Sequence, residues 1–173
     1  MKLAKSLDRL GTETAFSVLA EAKKLEAKGK PMIHLGLGQP DFKTPKHIVD
    51  AAKKALDDGH HGYVLSNGIL ECRQAVTRKI KKLYNQDIDP ERIIIMPGGK
   101  PTMSYAIQCF GEPGVEIVHP TPAFPIYESM INFTGAKPVP YDLTEDKDLK
   151  FNPEKILSLI TEKTKLLILI NPN

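Results

Sequence analysis

The chain has 173 residues, of which 41% are hydrophobic and 26% charged, as expected for a globular protein of one ordinary domain. Its 24 basic and 21 acidic residues are well mixed and give a net charge of +3, too weak to indicate binding to nucleic acid or to an anionic membrane. Cys72 and Cys109 fit no metal or redox spacing, and the first residues lack the apolar core of a signal peptide, so the chain is predicted to be cytoplasmic.

The first part of the chain is predicted to be mostly helical. Apolar residues at helical spacing predict a helix over residues 14–28, and Gly29 is its expected end. A second helix is predicted to begin with a Thr44 cap and Pro45 at its first position, and to end at Gly59.

A glycine-rich stretch lies between these two helices. Ile33, Leu35 and Leu37 alternate with other residues, which predicts a short strand. Gly36 and Gly38 would let another group approach the backbone closely, although such a turn is usually only structural.

A third helix is predicted after the loop from Tyr63 to Gly68. The neighbouring pair His60 and His61 lacks a spaced third ligand, so no metal site is predicted there. Because the whole chain is nearly neutral, the basic side of the third helix is interpreted as a solvated face. The basic residues in question are Arg73, Arg78, Lys79, Lys81 and Lys82.

The central stretch reads as a strand, a glycine turn and a helix. The run Ile93–Met96 predicts a strand buried on both faces, and Pro101 is expected at the first helical position. Gly98 and Gly99 permit an anion to approach backbone N–H groups at a helix start, and Lys100 adds a positive charge. Two interpretations stay open: a seat for a phosphate group, or an ordinary strand-to-helix turn that needs glycine for its geometry alone.

The remaining residues alternate between strands and helices. The strands are predicted at 115–118, 137–141 and 166–170, and the helices at 126–133 and from an Asn152 cap onward, with an acidic loop over 143–149. Phe124 and Tyr127 follow the first of these strands, at the end where open α/β sheets bind ligands. An aromatic side chain there either stacks on a flat ligand or fills the core.

This alternation predicts an α/β fold in which helices cover both faces of a parallel sheet. We divide the chain into an N-terminal arm and small-domain segment, residues 1–44, and the first part of a larger domain, residues 45–173. A strand of the central type at the end of the sequence lacks the elements that should follow it, so the domain is interpreted as cut off.

Taken together, several motifs resemble the class I aminotransferases of fold type I, which use pyridoxal phosphate. The ordered set is specific although each piece is weak, and its Gly-Gly-Lys turn resembles the subgroup of bacterial aspartate and aromatic aminotransferases. The motifs are Leu35-Gly-Leu-Gly-Gln-Pro-Asp-Phe42, Tyr63 with Ser66-Asn-Gly68, Gly98-Gly99-Lys100, Pro122-Ala-Phe124 with Tyr127, and Asn171-Pro-Asn173.

The resemblance implies roles for individual residues. Gly98, Gly99 and Lys100 would bind the cofactor phosphate, and Phe124 would stack on the pyridine ring. Tyr63 would reach the phosphate of a neighbouring subunit, which implies a homodimer with shared active sites. Gly38 would offer its amide to the carboxylate of the amino acid or 2-oxo acid substrate.

Two departures and one absence qualify the resemblance. Val64-Leu65 and Pro101-Thr102 replace the family's usual residues without removing a group needed for chemistry. The family's Schiff-base lysine, the aspartate that pairs with the pyridinium and the arginine that binds the α-carboxylate have no counterparts here, and Asn173 is expected to precede the family's cofactor asparagine. The segment alone is therefore expected not to transaminate.

Two alternatives stay open beside the aminotransferase hypothesis. One is a lyase or synthase of the same fold that uses the same cofactor, and the other is a non-catalytic module that binds a phosphorylated ligand or a partner chain. The resemblance also implies that strands from the missing part of the family's sheet lie between the strand at Ile93 and the strand at Leu166. The isolated polypeptide 1–173 is therefore expected to leave sheet edges unpaired and to be prone to aggregation or to unfold with little cooperativity.

Overall fold

The computed structural model describes residues 2–11, 14–36, 38–143 and 151–171, with the backbone alone at Thr14. In this part of the chain there are two compact units. The first lies within Met1–Gly36 and Gly98–Asn173, and the second within Leu37–Pro97. The boundary expected at residue 44 stays a prediction.

The described residues form six α-helices and a short parallel sheet. The helices are α1 (Thr14–Glu26), α2 (Lys46–Asp57), α3 (Leu70–Tyr84), α4 (Gly99–Phe110), α5 (Ile126–Thr134) and α6 (Pro153–Ser158), and one-turn 3-10 helices cover Lys5–Arg9 and Pro90–Arg92. The strands are β1 (Glu116–Thr121), β2 (Lys137–Asp142) and β3 (Thr164–Leu167). No helix in the described part of the chain has both the length and the apolar character that crossing a membrane requires.

The sheet belongs to the first unit and has the order β2-β1-β3. Both neighbours run parallel to β1, with Val118 opposite Val139 on one side and Leu167 on the other. The hydrogen bond from Ile168 N–H to the Val118 carbonyl, 2.9 Å long, continues the pairing one residue beyond β3. The parallel sheet predicted from the alternating elements is therefore confirmed.

Side chains of β1 alternate between two apolar clusters, one on each face of the sheet. Ile117 belongs to the larger cluster, which α4 and α5 complete through Ile107, Tyr127 and Ile131. Val118 belongs to the smaller one, whose other buried members are Tyr141, Leu143 and Ile156. Full burial of one such aliphatic side chain stabilises the fold by roughly 1.5–3 kcal/mol, so β1 is the apolar centre of this unit.

Glycine and cap residues in the sequence predicted most helix ends correctly. Gly29, Gly59 and Gly135 each have a positive φ just after a helix, where a residue with a β-carbon is strained. The side chain of Asn152 accepts hydrogen bonds from the N–H groups of Glu154 and Lys155, which confirms the predicted cap of α6.

Two predicted helix starts were wrong by one or two residues. The N-cap of α2 is Pro45, without a side-chain bond, so Thr44 does not cap this helix. Helix α4 begins at Gly99, which makes Pro101 its third residue rather than its first. Proline is tolerated at that position because N–H groups of the first turn have no acceptor within the helix.

Two predicted strands are absent from the described residues. The stretch 93–96 has no regular structure and pairs with no strand, and Ile94 is largely exposed, so the expectation of a strand buried on both faces was wrong. Residues 32–36 have no regular structure, and Ile33 and Leu35 are exposed, while Leu37 lies outside the described residues. An apolar run becomes a strand only where a neighbouring strand bonds its backbone, and local sequence does not supply that neighbour.

In the second unit, one prediction about α3 was wrong. Arg73 was assigned to the solvated basic face, yet its side chain is buried and hydrogen bonded. Arg78, Lys79, Lys81 and Lys82 are exposed, as the prediction required. Residues 144–150 lie outside the described part of the chain, and they include all of the acidic loop predicted at 143–149 except Leu143.

Candidate functional site

The turn before α4 combines unusual backbone geometry with open space. Gly98 is the N-cap of α4 and has φ +98°, a conformation that favours glycine. Gly99 has no positive φ, and a β-carbon there would make only an ordinary contact of 3.7 Å with the Met103 side chain. Geometry therefore accounts for Gly98, whereas neither strain nor packing within the chain requires glycine at position 99.

The helix start at Gly99 has the electrostatic character of an anion site. N–H groups in the first turn of an α-helix lack acceptors within the helix, and the helix dipole places partial positive charge at that end. Pro101 contributes no N–H group, and the Thr102 hydroxyl donates to the Gly98 carbonyl at 3.4 Å. The backbone donors of this turn therefore lie on the residues before Pro101, which are Gly98, Gly99 and Lys100.

Lys100 lies between two aromatic rings of the first unit. Its Nζ is 5.2 Å from the ring centroid of Phe124 and 5.6 Å from that of Phe16, both within the range of a cation–π interaction. The structure thus brings together two predicted site residues, Lys100 and Phe124. The sequence predicts Phe16 only as part of the apolar stripe of α1, and no local sequence pattern predicts its contact with Lys100.

Phe124 stands at the carboxyl end of the central strand. β1 ends at Thr121, the Thr121–Pro122 peptide is cis, and Phe124 follows two residues later. Its side chain is 37% exposed, whereas that of Tyr127 is buried in the larger apolar cluster. The core-filling role therefore belongs to Tyr127, and Phe124 keeps a ring surface that a ligand can reach.

The other two predicted site residues belong to the second unit. Tyr63 is fully exposed and lines a shallow cavity of about 620 Å³ together with Ala55, His60, Val64 and Ile69. Gly38 is exposed, and a β-carbon added to it would meet no other atom within 4 Å. Each residue is therefore open to a ligand or to another chain.

His119 is a buried titratable residue that sequence reasoning overlooked. It lies on β1, is 4% exposed, and its Nδ1 is 3.1 Å from the Pro120 carbonyl oxygen, so Nδ1–H is the donor. Its Nε2 has no hydrogen-bond partner among the described residues. Burial lowers the pKa of His119 below its ordinary value of 6.5, and the Pro120 carbonyl and the charge of Glu128 only partly oppose this.

The family model and the relatives that match this chain all point to the aminotransferases. Residues 30–173 match the family described as aminotransferase class I and II. An aspartate aminotransferase of Bacillus subtilis is 36% identical over all 173 residues, and a (5-formylfuran-3-yl)methyl phosphate transaminase of Methanocaldococcus jannaschii is 37% identical over 171 residues, or 99% of the chain. The chain spans 44% of the length of each of these two relatives.

Solved structures of aminotransferases resemble the fold of this chain over almost its whole length. A structure of an alanine aminotransferase from Pyrococcus furiosus matches 99% of this chain and 44% of that one, with a TM-score of 0.92 and 31% identity. The predicted fold class, that of the fold type I aminotransferases with a parallel sheet flanked by helices, is thereby confirmed. The names of these relatives favour neither the lyase nor the binding-module alternative.

Proposed function

Because the chain belongs to the class I and II aminotransferase family, we propose that it is the N-terminal part of an enzyme that moves an amino group between an amino acid and a 2-oxo acid with pyridoxal 5'-phosphate. The observation that carries the proposal is Gly99. Nothing in the chain's own strain or packing requires glycine there, and the absence of a side chain would let a phosphate approach the start of α4 closely.

The residues at this turn fit the phosphorylated, planar coenzyme. Gly98 and Gly99 would donate backbone N–H groups to the phosphate, and Lys100 would add its charge. Phe124 would stack on the pyridine ring, for which its exposed ring surface is available. When bound, the coenzyme would supply an electron sink for chemistry at the α-carbon of the amino acid.

Lys100 limits how Phe124 can stack. Its Nζ lies over the Phe124 ring, so a flat ligand would occupy the other face of the ring or displace the ammonium group. An ammonium that leaves Phe124 for a phosphate exchanges a cation–π contact for a charge-assisted hydrogen bond, which is the stronger interaction.

A homodimer is part of the proposal. Tyr63 is fully exposed, and helix α2 has no buried residue although Ile48 and Leu56 form one apolar side. An apolar helix face of this kind suits a protein interface, and a second copy would cover it. Tyr63 would then reach the phosphate of the neighbouring subunit, while Gly38 would offer its amide to the substrate carboxylate.

We place the reaction in the cytoplasm, because the described thiols of Cys72 and Cys109 form no disulfide. The family's Schiff-base lysine has no counterpart among these 173 residues. The chain by itself is therefore proposed to hold the coenzyme phosphate without turning over an amino acid.

The test uses pyridoxine 5'-phosphate and pyridoxine, which lack the aldehyde that would react with surface lysines. We expect the chain to bind the phosphorylated compound at least about tenfold more tightly, as a charge-assisted phosphate contact implies. Gly99→Glu should abolish the preference, because a carboxylate would occupy and repel the phosphate, and Ala27→Glu, at an exposed position of the first unit, is the matched control. Equal affinities for the two compounds in the unaltered chain would contradict the proposal.

The proposed reaction is tested by completing the chain. We expect residues 1–173, joined to the remaining part of the Bacillus subtilis aspartate aminotransferase, to transaminate, and we expect Phe124→Ala to weaken coenzyme binding in that fusion. A folded, coenzyme-loaded fusion without transaminase activity would count against the assignment.

A further inference from the structure

Arg73 is a buried cation on α3 that links two separate segments of the second unit. Its side chain is 2% exposed. Nε donates to the Gly68 carbonyl at 3.1 Å, and Nη1 donates to the Pro90 carbonyl at 3.0 Å and to Glu91 Oε1 at 2.6 Å. One guanidinium thus joins the loop that begins at Tyr63 to the segment that begins at Pro90.

Two further contacts join the same pair of segments. The Ile95 N–H donates to the Asn67 carbonyl at 3.1 Å. Gly68 has φ +94°, and a β-carbon there would lie only 2.8 Å from the Ile95 Cβ, so the two backbones are packed against each other. Asn67 Nδ2 also approaches Glu91 Oε2 at 3.5 Å.

We infer that Arg73 is a positioning residue, which holds the Tyr63 loop and residues 90–97 as one body. Residues 90–97 directly precede Gly98 in the chain, so this body includes the residues that lead into the phosphate turn. The inference rests on the proposed function, since it assigns Arg73 a purpose only if Gly98 and Gly99 bind a phosphate.

The chemistry of arginine supports this role over simple packing. An apolar side chain of similar volume would fill the site without the cost of burying a charge. The fork of guanidinium donors, in contrast, satisfies two backbone carbonyls and a carboxylate at once, which lysine with its single ammonium cannot do in the same geometry. The Glu91 side chain is 67% exposed, so the carboxylate that balances the charge of Arg73 keeps its contact with water. The hydrogen bonds from Arg73 to the two backbone carbonyls are formed by the buried side chain.

The experiment compares Arg73→Met and Arg73→Lys with Arg78→Met, a control at an exposed position of the same helix, and all variants are made in the fusion with the remaining part of the Bacillus subtilis aspartate aminotransferase. The first readout is hydrogen exchange at the Ile95 amide, measured by NMR without ligand. We expect exchange to accelerate about tenfold or more in Arg73→Met, less in Arg73→Lys, and not in Arg78→Met, because the link that limits local opening is lost.

The second readout is the ratio of the dissociation constants for pyridoxine and pyridoxine 5'-phosphate. A purely structural role would leave this ratio unchanged. We expect it to fall about fivefold or more in Arg73→Met, with partial rescue in Arg73→Lys. If Arg73→Met does not fold, Arg73→Lys and Glu91→Gln carry the comparison, the latter with the carbonyl links intact and a smaller effect expected.

Each outcome bears on the inference. Faster Ile95 exchange with a lower ratio supports it, and faster exchange with an unchanged ratio overturns the positioning role. Unchanged exchange in Arg73→Met shows that the two segments are held together without Arg73, and overturns it as well. If the unaltered chain shows no preference for the phosphorylated compound, the proposed function fails and the positioning role with it, whereas the exchange comparison separately shows whether the segments are linked.

Discussion

Among single residues, His119 makes the stability of the fold depend on pH. Its folded-state pKa lies below the ordinary value of 6.5 because burial disfavours the imidazolium. The unfolded chain therefore binds the proton more readily, so the contribution of neutral His119 is fully present above pH 6.5 and is lost as the pH falls through the folded-state pKa. We expect resistance to urea, followed by circular dichroism, to fall between pH 7 and pH 5.

The matched variants separate His119 from the other histidines. His119→Leu should flatten the pH dependence over that range, whereas His61→Gln, at an exposed position, should leave it unchanged. A profile that is the same in His119→Leu and in the original chain would show that other groups cause the acid sensitivity.

A second residue-level expectation concerns Gly68. Alanine there would combine a positive φ of 94° with a 2.8 Å approach to the Ile95 Cβ, so Gly68→Ala should destabilise the second unit by about 1–3 kcal/mol. Gly62→Ala is the control, because a β-carbon at position 62 meets nothing within 4 Å. Urea unfolding of both variants checks the difference, and equal midpoints would refute the packing argument.

At the scale of elements, the N-terminal segment caps a distant helix. Arg9 Nε donates to the Asn132 carbonyl at 2.8 Å and Arg9 Nη2 to the Phe133 carbonyl at 2.7 Å, at the C-terminal end of α5. The Gly11 N–H donates to Ser129 Oγ at 3.0 Å and fixes the same segment. A cation at a helix C-terminus satisfies carbonyls that lack helical partners and interacts favourably with the dipole.

We expect Arg9→Ala to cost about 0.5–1 kcal/mol and to speed hydrogen exchange at the Gly11 amide, since the bonds to α5 are exposed and individually modest. Lys2→Ala, in the same exposed segment, is the control. Unaltered Gly11 exchange in Arg9→Ala would mean that the Ser129 contact alone holds the segment.

At the scale of the whole molecule, β3 pairs on one side only among the described residues. Leu167 at the end of β3 and Leu169 just beyond the strand are exposed, next to an apolar cavity of about 280 Å³ between β3 and α4. Unpaired strand edges with apolar side chains promote association. We therefore expect the 173-residue chain to aggregate or to unfold with little cooperativity.

Leu169→Lys should reduce this aggregation, measured by light scattering, because a charge beside the edge opposes pairing with another chain. Leu3→Lys adds the same charge in the N-terminal segment and should have a smaller effect. A sharp, reversible two-state melt of the monomeric original chain would contradict the expectation of unpaired edges.

The sequence predicted those features that local chemistry decides. Gly29, Gly59, Gly135 and Asn152 end or begin helices through their own backbone and side-chain preferences, and the structure confirms each. The burial of Arg73 could not be predicted in this way, because its acceptors lie 5 to 18 residues away.

The same limit applies to the candidate site. The motif Gly98-Gly99-Lys100 is contiguous in the sequence and could be recognised there. The contact between Phe16 of α1 and Lys100 of α4 depends on tertiary packing and could not. The prediction of a strand at Ile93–Met96 was wrong for a related reason. A strand forms only when a second strand pairs with it, and the local sequence does not identify that partner.

The middle strand of the sheet is also the earliest of the three in the chain. During synthesis from the N-terminus, β1 leaves the ribosome before either neighbour, and both β2 and β3 then add to a strand that is already there. The nascent polypeptide can thus complete β1, α5 and β2 before β3 emerges. Until then, the edge of β1 that later binds β3 is unpaired, so incorrect strand pairing is expected at that edge.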